Sequence, residues 1–268
     1  MPTWVDEVLA DPSMQRHQPQ RPWQTALIEE NVLFLHYRFT PADLRPLVPS
    51  QLGLVTVDGS VWVAVIALHV SDVKFRKAPM PLPRSWRDFG EIDVAVNVEF
   101  KGRRGLYFLS IEGADRFASW LTRRSSGIPY LFSPNLEVRQ EGEGFRATSG
   151  PRWVRSRPAA EFDASYAPRR PVAAADSSSL VHVLAGQYSA FAVRRGQVYE
   201  LDEIHRAWDL QEVDVELRQN TLLSAAGIAG DRDPELQYFS PGSRIVAWLP
   251  RRVRDDRDGL APGEPPSS

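Results

Sequence analysis

Residues 89–135 read FGEIDVAVNVEFKGRRGLYFLSIEG (89–113), ADRFASWLTRRSS (114–126) and GIPYLFSPN (127–135). In the first part Glu91, Asp93, Ala95, Asn97 and Glu99 alternate with Ile92, Val94, Val96, Val98 and Phe100. That is the period-two pattern of a strand with two unlike faces. A Lys-Gly-Arg-Arg-Gly turn then leads into the apolar run 106–111, so the stretch predicts a β-hairpin. One face of it carries Glu91, Asp93 and Asn97, and the other is wholly apolar. Ala114, Phe117, Ala118 and Leu121 follow at spacings of three and four, which predicts a short helix. Gly127 stops that helix and Pro129 cannot extend it. A carboxylate-lined strand and a Pro-Tyr loop, joined by a hairpin and a helix, are expected to wall one pocket.

Outward from this stretch the pattern stays β-rich. Residues 31–39 alternate, with Leu33, Leu35, Tyr37 and Phe39 on one face and Phe34, His36 and Arg38 on the other. Thr40-Pro41-Ala42-Asp43 has the chemistry of a helix start. Residues 52–57 and 61–70 predict a hairpin through Asp58-Gly59. Residues 71–88 are proline-rich and basic and read as a long loop. Further strands are expected at 136–140, 144–149, 152–157, 162–166, 197–204, 213–217 and 243–249. A helix is expected over 175–191, capped by Asp176 or Ser177 with Leu180, Val183, Leu184 and Gln187 on its lower face, and a short one over 220–226. The sum is a mainly β, α+β domain at 23–250, a mostly antiparallel barrel or highly curved sheet. A loosely held arm at 1–22 and a disordered tail at 251–268 flank it.

Composition narrows the chemistry. The 268 residues carry a net charge of −2, which gives no reason to expect nucleic acid or an anionic membrane as partner. No apolar run is long enough for a transmembrane helix, and no signal-peptide pattern opens the chain. Cytoplasmic location is the default expectation. Cysteine is absent, so disulfides and thiol chemistry are excluded. Lysine appears only as Lys74, Lys77 and Lys101, which leaves an amine nucleophile three candidates. The five histidines form no His-x-x-x-His pair, and no Gly-x-Ser-x-Gly, P-loop or dinucleotide motif is present. Neither a metal nor a cofactor is expected.

Several segments, among them LHYRFTPADLRPLVPSQLGL, DGSVWVAV, RQNTLLSAAGI and YFSPGSRIVAWLP, resemble the uncharacterised DUF2071 family across about residues 23–250. More distantly, YRFTPADLRPLVPSQL, FGEIDVAVNVEFKG and GIPYLFSPNL are similar to acetoacetate decarboxylase. The resemblance implies a conical β-barrel with an interior small-molecule site. That enzyme uses a lysine that forms a Schiff base beside a second lysine. Its Tyr-Pro-Lys-Lys motif falls here on Ile128-Pro129-Tyr130-Leu131, so both lysines are lost. The family's pocket glutamate falls on Glu91, while its pocket arginine falls near Glu30, where this chain has none.

From these residues, Glu91 with Asp93 is expected to supply acid/base chemistry, because neighbouring carboxylates split their pKa values. Tyr130 is the expected hydrogen-bond donor, and His36 a candidate proton shuttle. Asp93, Asn97, Arg38 and Arg155 are candidate substrate contacts; Arg152 and Arg157 share the last one's strand. The expected activity is imine-independent acid/base catalysis on a carbonyl or enolisable small molecule, of lyase, dehydratase or cyclase type. The alternative is a barrel that binds a small molecule without transforming it. A homo-oligomer is left open by the strand edges and the 71–88 loop.

Overall fold

The computed structural model describes residues 3–77, 83–154, 157–172, 180–230 and 232–253. Two short helices come first, α1 (Trp4–Ala10) and α2 (Pro12–Gln15), capped by Thr3 and Asp11. Val5, Val8 and Met14 bury against Ala26, Ile204, Val246 and Trp248. The segment expected as a loose arm is thus packed, because Val5 and Val8 give one turn of helix an apolar face.

The strands follow in order: β1 (Thr25–Phe39), β2 (Gly53–Leu54), β3 (Val61–Phe75), β4 (Phe89–Phe100), β5 (Arg103–Gly113), β6 (Tyr130–Phe132) and β7 (Glu137–Glu141). Then come β8 (Gly144–Val154), β9 (Arg157–Pro171), β10 (Ser189–Arg194), β11 (Gln197–Ile204), β12 (Gln211–Asn220), β13 (Leu236–Ala247) and β14 (Arg251–Arg252). Short helices lie between them: α3 (Pro41–Leu44), α4 (Arg116–Ser126), α5 (Leu180–Ala185) and α6 (Leu222–Ala225).

The pairing order runs β11-β10-β5-β4-β3-β1-β13, and β13 pairs back onto β11. The last contact, Glu203 opposite Ala247 and Ile204 opposite Val246, closes a circuit of hydrogen-bonded strands. Beyond β13 the sheet continues through β12, β9, β8 and β7. The outer face of the circuit is the one Ile92, Val94, Val96 and Val98 supply from β4, with Leu33, Leu35, Tyr37 and Phe39 from β1. Leu136, Val138, Ala147, Phe162, Ala164 and Tyr166 from β7 to β9 and the turn before them pack onto it. Fully burying each such large aliphatic is worth about 1.5–3 kcal/mol, enough in sum to offset polar groups on the opposite face. An ion pair crosses the same layer: Arg152 on β8 donates to Glu112 on β5 at 2.5 Å, both almost wholly buried.

Three expectations are corrected. β2 pairs with β4, and only a single bridge, Val57 to Ser60, spans the Asp58-Gly59 turn. The helix expected over 175–191 ends at Ala185, and Ser189 to Phe191 already belong to β10, where Ala190 pairs with Leu106. The β-branched and aromatic residues after the 186–188 segment favour a strand once an edge is offered. Its expected caps, Asp176 and Ser177, lie outside the described residues, as does most of the tail, although β14 extends the sheet at β11. Helix α4 forms as expected, capped by Asp115 and ended by Gly127 at φ 83. Its apolar Phe117 and Leu121, however, face outward, where Phe117 stacks on Trp86.

Candidate active site inside the strand circuit

The inner face of β4 carries the polar set, as the alternation requires. Glu91 and Asp93 are 7% and 6% exposed, and Asn97 is 2%. Cross-strand neighbours share a face, so Glu91 stands beside Leu68 and Gly113, and Asp93 beside Ile66 and Ile111. Strand β6 then adds to β5 in parallel, with Tyr130 level with Ile111. Tyr130, Ile111 and Asp93 therefore lie in one row of the inner face.

Tyr130 is held there by local chemistry. Asp115 caps α4 through the Ala118 amide, Gly127 ends it in a left-handed turn, and the Ile128 amide donates to the Ser126 hydroxyl. The Ile111 amide donates to the Pro129 carbonyl, and Ser133 donates to the Gly113 carbonyl. A Cβ at Gly113 would come within 2.6 Å of the Ser119 hydroxyl and 3.9 Å of the Tyr130 ring. Glycine at this position leaves room for Ser119 and lets helix α4 seat against the sheet beside Glu91.

Two further carboxylates converge on this interior. A register shift in β1 between Glu30 and Leu33, with Asn31 at φ 56, lets Glu29 join Phe34 and His36 on the inner face. Glu203 enters from β11 at the point of closure. Glu29, Glu203 and Tyr130 are each half-buried on this face. Leu27, Phe34, Leu68, Val70, Trp208 and Tyr238 supply an apolar cluster on the same side.

The electrostatics follow from burial. Desolvation pushes Glu91 up to about 8, against the opposing pull of a hydrogen bond from Tyr130, and Glu203 adds to the rise. Glu203 is pushed up to about 7 by burial alone. Asp93 and Glu29 are raised well above the ordinary carboxylate range, first by burial and then by their acidic neighbours. One Asp93 oxygen has no hydrogen-bond partner. Interacting carboxyls of this kind titrate as a group rather than singly.

The remaining sequence candidates divide. His36 is on the inner face but packed by Phe34 and Tyr238, with neither ring nitrogen bonded, and burial lowers it to about 4, so it is neutral. Asn97 is also inward, further along β4 opposite Leu106, and its amide makes no hydrogen bond. Arg38 is half exposed and pairs with Glu235 at 3.1 Å, away from the cluster. Arg152 serves Glu112 in the outer layer. Arg155 lies outside the described residues. Lys74 pairs with Asp72, and Lys77 and Lys101 are exposed, so no lysine joins the acidic cluster. Glu29 and Glu203 escaped the sequence reading. Glu29 turns inward only because of the bulge, and Glu203 is one acid in the run Glu200, Asp202, Glu203 that also faces outward.

Comparisons with known proteins agree with this architecture. Residues 29–244 match the profile of DUF2071, described as an uncharacterized conserved protein. The uncharacterized protein YqjF of Bacillus subtilis is 27% identical over 234 residues, covering 87% of this chain and 94% of that protein. Among solved structures, acetoacetate decarboxylase from Legionella pneumophila superposes with a TM-score of 0.60 at 14% identity, covering 96% of this chain and 98% of that one. The enduracididine biosynthesis enzyme MppR, complexed with pyruvate, superposes at 0.58 and 12% identity, covering 91% and 95%. An acetoacetate decarboxylase-like enzyme from Sphingomonas wittichii RW1 gives 0.59 at 14%, covering 87% and 94%. At these identities the likeness establishes a shared fold.

Proposed function

The chain belongs to the DUF2071 family, and we propose that it is a small-molecule enzyme that works on a carbonyl or enolisable substrate by acid/base chemistry without an imine. We read the closed strand circuit as the barrel of the acetoacetate decarboxylase-like fold, and its interior as the reaction site. The observation that carries this reading is the gathering of buried Glu91 and Asp93 on one face with Tyr130, where burial pushes Glu91 up to about 8. A carboxyl in that range exchanges protons near neutral pH, which is what a general acid or base requires.

In this reading an ionised member of the Glu91–Asp93 pair removes the proton next to the substrate carbonyl. The C–H electron pair becomes the enol double bond, and the carbonyl oxygen takes up a proton from the protonated member. Tyr130 donates a hydrogen bond to the same oxygen as charge develops. Reversal of these transfers, or loss of a leaving group from the enol, completes a lyase or dehydratase cycle. The Schiff-base route has no nucleophile to start from, since Tyr130 and Leu131 stand where the decarboxylase motif has lysines.

The test is solvent deuterium incorporation, followed by NMR, into a panel of enolisable ketones and 2-oxo acids that includes pyruvate. The proposal predicts exchange with the wild type, resistance to borohydride trapping, and loss of exchange in Glu91→Gln with binding retained. Inactivation by borohydride, or an unaltered Glu91→Gln rate, contradicts it. Binding without exchange throughout the panel identifies a binding protein instead.

A further inference from the structure

Outside the strand circuit, a groove of about 820 Å³ is lined by Arg16, Arg21, Arg103, Arg104 and Arg251, with Asp202 at its edge. Beneath it lies Glu200, wholly buried. Arg103 binds Glu200 at 2.7 Å and Asp202 at 3.1 Å. Arg251 binds Glu200 at 2.7 Å, and Arg21 binds Asp202 at 2.8 Å. Arg16 donates to the His17 imidazole at 2.9 Å, so it too is anchored. Arg104 is exposed and has no carboxylate partner among the described residues. Five guanidiniums thus meet two carboxylates, a local surplus of three positive charges in a chain whose net charge is −2.

We propose that this groove binds a small phosphorylated metabolite. Buried Glu200 and Asp202 fix three arginine forks in place, which removes much of the side-chain entropy that anion binding costs. The donors they leave unused match phosphate oxygens, and a phosphate ester near −2 answers the surplus charge. The volume lies within the range of small-molecule pockets and leaves room for an organic part. His17, stacked on Tyr188 with ring centroids 4.0 Å apart, lines the groove beside the arginines. A groove of this size on a chain with net charge −2 suits a small anion better than a nucleic acid, which needs an extended basic track. The site is separate from the acidic interior, because Asp202 and Glu203 are successive residues on opposite faces of β11.

The full-length protein is titrated calorimetrically with inorganic pyrophosphate, with citrate as the carboxylate comparator. The proposal predicts saturable one-to-one binding that weakens with salt and exceeds that of citrate. Arg16→Ala with Arg104→Ala should weaken it by at least about tenfold, since charged hydrogen bonds are lost. Both residues are exposed, so these variants keep the fold, and Glu91→Gln should bind pyrophosphate as the wild type does. The proposal is overturned if binding does not saturate, if the arginine substitutions leave it unchanged, or if Glu91→Gln abolishes it. Citrate or a single-stranded oligonucleotide binding more tightly than pyrophosphate overturns it as well.

Discussion

Gly113 stands directly across the β4–β5 ladder from Glu91. The side chain that is missing there leaves the space in which the Tyr130 ring and Ser119 close over the strand. Helix α4, which leads into the Tyr130 loop, seats against the sheet here because the position across from Glu91 has no Cβ.

Gly113→Ala tests this relationship. The added methyl meets the Ser119 hydroxyl inside van der Waals contact, so that hydroxyl must rotate away or helix α4 must shift. Thermal melting should show a loss of about 1–3 kcal/mol, the usual cost of overpacking. Turnover should fall by more than this stability loss explains. A companion Ser119→Gly should restore part of both.

Tyr130→Phe keeps the ring and removes the donor. The Tyr130 hydrogen bond lowers the Glu91 pKa, so its removal should move the pH profile of kcat/KM to higher pH. A general acid/base or oxyanion contribution of about 10²-fold or more in kcat should be lost at the same time. A profile that stays in place would separate Tyr130 from Glu91.

Much of this arrangement is legible in the sequence, for definite reasons. The alternation at 91–100 assigns Glu91, Asp93 and Asn97 to one face, and a period of two survives in any sheet. Gly127 and Pro129 end the helix through backbone geometry that tertiary packing does not override. Glu29 could not be read, because an ungapped alternation through 25–39 places it with the outer residues until the bulge at Asn31 shifts the register. The strand fate of Ser189 to Phe191 was hidden for a related reason. A helical spacing of Leu180, Val183 and Leu184 continued smoothly into residues whose partner, β5, is far away in sequence. Helix α4 shows the converse limit, since an apolar stripe does not say whether anything covers it.

Stability should be greatest near pH 4 and fall on both sides, because over 4.5–6.5 the two raised glutamates outweigh the one lowered histidine. Glu91 and Glu203 have folded values of about 8 and 7 against 4.5 for an unperturbed glutamate. The folded chain holds protons that the unfolded chain releases, so stability is lost as pH rises through that interval. His36, lowered to about 4 from 6.5, works in the opposite sense. The unfolded chain protonates it first, so its contribution is lost as pH falls through this lower interval. Melting temperatures across pH should show both limbs, and Glu91→Gln should flatten the basic one.

The outer layer has its own test in Arg152. Arg152→Leu removes a buried ion-pair partner of Glu112, with an expected cost of about 3–5 kcal/mol by denaturant unfolding. Adding Glu112→Gln should recover a good part of that loss. If the two losses simply add, the residues do not act as a pair.

The most direct measurement is an NMR titration of the glutamate side-chain carboxyls, with the Glu91 signal assigned by its absence in Glu91→Gln. The account predicts that Glu91 titrates near 8, coupled to Asp93, and is largely protonated at pH 7. A Glu91 carboxyl that titrates at the ordinary value of 4.5 would contradict it, leaving the interior without the acid on which the proposed chemistry rests.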